Sequence, residues 1–253
     1  MSFPDIRMSR LALTTAAAVA AMAVAGTAAA QSMVVRSTGP SASQYPTGTK
    51  FKAGERVTLV AGDRLVLIQD GKTRTLTGAG TFNTSAPVQL SQSMGTTVTR
   101  MIAKRPPTQS RGGFTRGPEE EAPAIVRAPN LWLLDYREGG TFCVADPATL
   151  LLWRPDASAD TVVRVEGAGK AGSTELKKDA QFKRWPAEVP LQYDIDYRFS
   201  GGGLAAPVTV RFAPLEAMPE TPEASADMLV AKGCSPQLDR LVDAMSAEEN
   251  ATG

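Results

Sequence analysis

The chain has 253 residues, 43% of them hydrophobic and 21% charged, which is enough to bury a real core in one or two domains. It contains no histidine, so Ser-His-Asp and Cys-His nucleophilic mechanisms and histidine-ligated zinc are excluded. Its 27 Lys and Arg stand against 26 Asp and Glu, without the basic excess that marks nucleic-acid binding.

Residues 1–30 read as a cleaved export signal. Arg7 and Arg10 precede an apolar, alanine-rich run from Leu11 to Ala25, and Ala28-Ala29-Ala30 is a small-residue cleavage site. Met8 is a second candidate start. The apolar run is too short and too weakly apolar for a span. Cleavage leaves a mature chain that is neutral overall, expected in the periplasm or outside the cell. Two cysteines in an exported chain point to one disulfide, Cys143–Cys234.

Met33 to Tyr45, rich in Ser, Gly and Pro, reads as extended or loosely ordered. Strands are predicted at Arg56–Val60, Arg64–Gln69 and Lys72–Thr77, with a turn at Ala61-Gly62-Asp63 and an Asp70-Gly71 hairpin. Val57, Leu59, Leu65, Leu67 and Leu76 face a small core. The run GERVTLVAGDRLVLIQDGKTRTLTGAGTF, with its "GD" turn, apolar strand and "DG" hairpin, resembles the periplasmic FecR-type β module over about residues 45–84. It is also similar to exported alphaproteobacterial proteins that carry such a module before a second β domain. The resemblance implies a β module of the envelope, assigned here to residues 45–86. Regulators of that family add an anti-sigma segment and a membrane span that this sequence does not carry.

Residues 87–104 show apolar residues at helical spacing and form a possible helix. Residues 105–124, rich in Pro, Gly, Arg and Glu, read as a flexible linker. Arg100, Lys104, Arg105, Arg111 and Arg116 make a basic run suited to docking an anionic envelope partner, or to solvating the linker.

Residues 125–215 carry six or seven strand patterns. Trp132, Leu134 and Tyr136 alternate with Leu133 and Asp135. Leu150–Trp153 is continuously apolar and so belongs at the middle of a sheet covered on both sides or in the core of a sandwich. Cys143 lies between these two runs. Thr161–Glu166, Ala180–Trp185 and Val208–Phe212 add strands, and Gln192–Ser200 alternates most clearly. Gly167–Ser173 lacks the Lys-Ser/Thr pair of a phosphate loop and reads as a turn. The order Trp153, Pro190-Leu191, Tyr197 resembles fibronectin type III and related sandwiches, where a core Trp and a late-strand Tyr are typical. A helical tail spans 221–247: Thr221-Pro222 starts one helix that Gly233 ends, and Ser235-Pro236 starts a second with Leu238, Leu241, Val242 and Met245 as its apolar stripe.

The expected fold class is therefore mainly β: a small FecR-like β module plus an immunoglobulin-like β-sandwich, with short helices at the linker and C-terminus. No catalytic, cofactor or metal residues are assigned, and no cofactor is expected. The leading functional reading is an exported, non-enzymatic binding or scaffolding protein that contacts an envelope protein or polymer. Two alternatives stand beside it. One is a carboxylate-dependent glycan hydrolase using Asp194 and Asp196 on one strand face. The other is a structural accessory subunit of a secretion or signalling system.

Overall fold

A computed structural model describes residues 31–84, 96–103 and 126–251. The expected signal segment and residues 104–125 lie outside them. The fold is mainly β, built from fourteen described strands and three α-helices.

The first β module starts earlier than the sequence pattern suggests. Ser32–Thr38, expected to be loosely ordered in part, is strand β1 and lies inside a four-stranded sheet of order β2-β1-β4-β5. The other members are β2 (Lys50–Phe51), β4 (Arg64–Gln69) and β5 (Lys72–Thr77), while β3 (Arg56–Leu59) pairs with β6 (Gly80–Asn83). Its composition hid β1, because the Gly and Pro that follow belong to the turns after Thr38 and not to the strand. Asp70 and Gly71 have φ of 50° and 75°, the left-handed pair that a two-residue hairpin needs.

Strand β4 is buried on both faces, and each face meets a different core. Leu65 and Leu67 join Val34, Phe51, Val57, Leu59 and Leu76 in the module's own core. Val66 and Ile68 join Met33 and Val35 against the C-terminal helices. Strand β1 skips a register position between Val34 and Arg36. That bulge puts Arg36 opposite Val66, on the helix side of the sheet.

The second module is a two-layer sandwich. Its larger sheet has the order β11-β10-β13-β14-β8, from Lys170–Leu176, Thr161–Gly167, Asp196–Gly201, Val208–Pro214 and Gly140–Val144 respectively. Its smaller sheet is β12-β9-β7, from Phe182–Arg184, Leu151–Trp153 and Leu133–Asp135. Leu134 and Leu152 of the smaller sheet pack with Phe142, Val163, Val165, Phe199, Val210 and Phe212 of the larger one. Two pairings are parallel, β14 with β8 and β7 with β9; the others are antiparallel. Cys143, expected between strands, lies within β8.

The aromatic core departs from the expected Trp153–Tyr197 pairing. Tyr197, fully buried at the start of β13, donates its hydroxyl to the Pro190 carbonyl at 2.7 Å and accepts from the Gln192 N–H at 2.7 Å. This pins the preceding corner as a tyrosine corner does. The tryptophan it meets is Trp185, at a ring separation of 5.3 Å, and not Trp153. Trp153 sits on the outer face of the smaller sheet with Ala128 and Leu133, beneath the Arg137 guanidinium. Periodicity placed Leu150–Trp153 in a doubly covered strand but could not tell which side each ring takes.

Helix α1 is Thr96–Ile102, inside the expected 87–104. Helix α2, Pro222–Lys232, starts at an N-cap Thr221 that accepts from the Ala224 N–H and ends at Gly233, φ 71°. Helix α3 is Ser235–Ala251. Leu238, Leu241, Val242 and Met245 are buried in a core to which both β modules and α1 contribute. The two modules thus share a hydrophobic centre built on α3. The Cys143–Cys234 disulfide, with a Cα separation of 5.8 Å, ties β8 to the joint between α2 and α3. No helix among the described residues is long and apolar enough to cross a membrane.

Candidate interaction surfaces

A sandwich has open strand edges on its flanks, with unpaired N–H and C=O groups that invite another strand. Here α3 closes one flank with two residues one turn apart. The Gln237 amide, fully buried, accepts from the Cys143 N–H at 2.6 Å and donates to the Cys143 and Leu131 carbonyls at 3.1 and 2.9 Å. It exchanges both bonds with Cys143, as a peptide group of a neighbouring strand would. Arg240 donates to the Leu133 carbonyl at 3.1 Å and lies against those of Asn130 and Leu131 at 3.4 and 3.5 Å, so it covers the free edge of β7. The first module uses the same device: the Tyr45 hydroxyl bonds both the N–H and the C=O of Thr58, on β3.

Charge reinforces the junction. Arg36 pairs with Asp239 at 2.7 Å and Asp243 at 2.9 Å, Arg127 pairs with Asp243, and Lys50 pairs with Asp227. These pairs are a third to a half exposed, so each contributes at most about 1 kcal/mol and acts mainly on alignment. Arg240 is different, since its side chain has no exposure and its nearest carboxylate oxygen, on Glu138, is 3.4 Å away. Burial pulls Arg240 below its ordinary range, with Glu138 opposing. It likewise pushes the Glu138 carboxyl up, with Arg240 opposing.

The carboxylates proposed for hydrolysis do not share a strand face. Strand β13 begins at Asp196, and Asp194 sits before it in a turn with φ 61°. Asp196 is held by Arg211 at 2.7 Å, which keeps its pKa below the ordinary carboxylate range. Two-residue alternation continued through Tyr193 and Ile195, so the sequence pattern overran the true start of the strand. Of the basic run, Arg100 falls on α1, and Lys104, Arg105, Arg111 and Arg116 lie outside the described residues. Cys143 and Cys234 form the expected disulfide.

Two surfaces remain. One is the outer face of the five-stranded sheet, where register sets Arg164 beside Ser173 and Ser200, Glu166 beside Arg198, and Arg198 beside Thr209. Val162 is exposed there at 53%, next to Glu175. The second is a cleft of about 340 Å³ at one end of the sandwich, lined by Tyr136, Arg137, Arg154, Asp156, Asp160 and Gly203 among others.

Sequence reasoning missed Gln237 and Arg240 because they interrupt the apolar stripe of α3. A signal was available for Gln237, which lies one turn from both Cys234 and Leu241 at helical spacing; Arg240 lies about 100° round the helix from Leu241, so its spacing carried none. No family model matches the chain, and no curated protein or solved structure shows significant similarity to it.

Proposed function

We infer that the chain is an exported, non-enzymatic binding or scaffolding protein of the cell envelope, whose contact surface is the outer face of the five-stranded sheet. The observation that carries this reading is the character of that face. It is exposed from β11 across to Arg211 on β14, mixes Arg164, Arg198 and Arg211 with Glu166, Glu175 and Asp196, and includes an exposed valine. Such a mixture suits a protein or polymer partner that reads shape and paired charges over a broad area. The capped flank supports surface docking over strand addition on that side, because the edges at β7 and β8 are already bonded to α3. Two modules clamped onto one helix would present the face with little ordering cost on binding.

The test is site-specific photo-crosslinking in the native envelope fraction. A photoreactive residue at Thr209, on the face, should yield one dominant adduct; the same residue at Thr77, on the first module, should not. Equal adducts from both positions, or none from Thr209, would overturn the assignment.

A further inference from the structure

The exposed part of the five-stranded sheet carries the guanidiniums of Arg164, Arg198 and Arg211, and two of them are already paired within the fold. Arg164 donates through Nε to Glu166 at 2.7 Å. Arg211 donates through Nε to Asp196 at 2.7 Å, and Asp194 adds to the negative field around it. At the β11 border Glu175 is bonded to Lys177. Arg198 is exposed and has no ion pair or hydrogen bond among the described residues. The acid that register sets opposite it, Glu166, is turned to Arg164 instead.

Position singles out the same residue. Arg198 lies on β13, the middle strand of the order β11-β10-β13-β14-β8, with Thr209 beside it on β14 and Ser200 two places along its own strand. These short neighbours leave the guanidinium open to approach. Binding energy concentrates near the centre of an interface, and arginine is enriched among the residues that carry it. The surroundings also sort the partners. A polyanionic polymer needs a row of unpaired cations, whereas this single one is bordered by Glu166 and Asp196, which repel further negative charge. Sugar rings stack on aromatic side chains, and the outward positions of β11, β10, β13 and β14 carry none. A protein surface needs only one acidic side chain at the matching place.

We propose that the partner of this face is a protein, and that it presents an Asp or Glu carboxylate to Arg198 as the anchor of the contact. The proposal rests on the sheet-face reading and narrows it from a protein or polymer to a protein. A carboxylate takes a guanidinium by two parallel N–H bonds, which fixes orientation as well as affinity.

The test keeps the photoreactive residue at Thr209 and changes Arg198 in the mature chain, assayed in the native envelope fraction. Arg198→Gln should lower the yield of the dominant adduct about tenfold, the loss expected for one charge-assisted bond. Arg198→Lys should keep part of the yield, since the charge remains and the fork is lost. Both variants should keep the parent Tm, because Arg198 holds no partner within the fold. The adduct should be digestible by protease, and its crosslinked partner peptide should contain Asp or Glu. An undiminished adduct in Arg198→Gln, a partner peptide without an acidic residue, or an adduct that survives complete proteolysis as a polymer conjugate would overturn the proposal and leave the sheet-face reading standing. No adduct from Thr209 in the parent would overturn both.

Discussion

Gln237→Ala tests whether α3 truly serves as the missing neighbour of β8. The substitution leaves the Cys143 N–H and C=O without partners in a region with no solvent exposure, while the Leu131 carbonyl keeps a long contact from Arg240. Each orphaned buried group costs about 1–3 kcal/mol, so the expected loss is about 2–6 kcal/mol. For a chain of this length that is a fall of about 5–15 °C in Tm. The assay is urea unfolding followed by tryptophan fluorescence under oxidising conditions. Gln237→Glu sharpens it. A carboxylate there still accepts from Cys143 but meets two carbonyl oxygens, so its pKa in the folded state is raised above the unfolded value. The stability this group provides is then present below the unfolded pKa and lost as pH rises through the folded pKa. Gln237→Glu should accordingly approach the parent near pH 4 and fall well below it at pH 7. A loss under about 1 kcal/mol for Gln237→Ala, or a pH-independent Gln237→Glu, would refute the edge-closing role.

Other expectations follow from the same geometry. The paired substitution Cys143→Ala with Cys234→Ala opens a loop of 91 residues' separation and should cost up to about 4–5 kcal/mol, read as a lower urea midpoint. Because both modules pack on α3, fluorescence and circular dichroism should report one coincident transition in the parent; two resolved transitions would show that the modules are held independently. Tyr197→Phe keeps the ring contacts with Trp185 and Phe212 but loses two hydrogen bonds, and should destabilise by about 1–3 kcal/mol in the same assay. Asp63 accepts the Ser41 and Val60 N–H groups, with the Ser41 bond the larger influence, and its pKa is held below the ordinary value. Its contribution is present above the unfolded carboxylate pKa and lost as pH falls through the lower folded one. Asp63→Asn should therefore flatten the acid limb of a stability–pH curve, and an unchanged limb would reject this assignment.

The parts of the fold legible in sequence were those governed by local rules. The Asp70-Gly71 hairpin, the Thr221 cap, the Gly233 stop and the α3 stripe all express short-range backbone and periodicity constraints. What escaped was set by distant contacts. Strand β1 bonds to a segment some thirty positions later, and β11, with its Gly and Ser, is a strand because β10 pairs with it along seven residues. The overrun at Asp194 has the same origin, since alternation persists where the chain has already turned. For the candidate site, no sequence pattern could bring Arg137 and Arg154 to one cleft, because the smaller sheet sets that meeting through the parallel pairing of β7 with β9.

The position of α3 in the chain gives its contacts an order in time. When a polypeptide is synthesised from its N-terminal end, all the strands of both modules appear before Gln237 and Arg240 do. Until then the flanks at β7 and β8 are unguarded and Cys143 has no mate. Any product shortened ahead of Cys234 would keep that condition permanently, with two sticky borders and a lone thiol. Aggregation and clearance by proteases are what such a truncation should bring about.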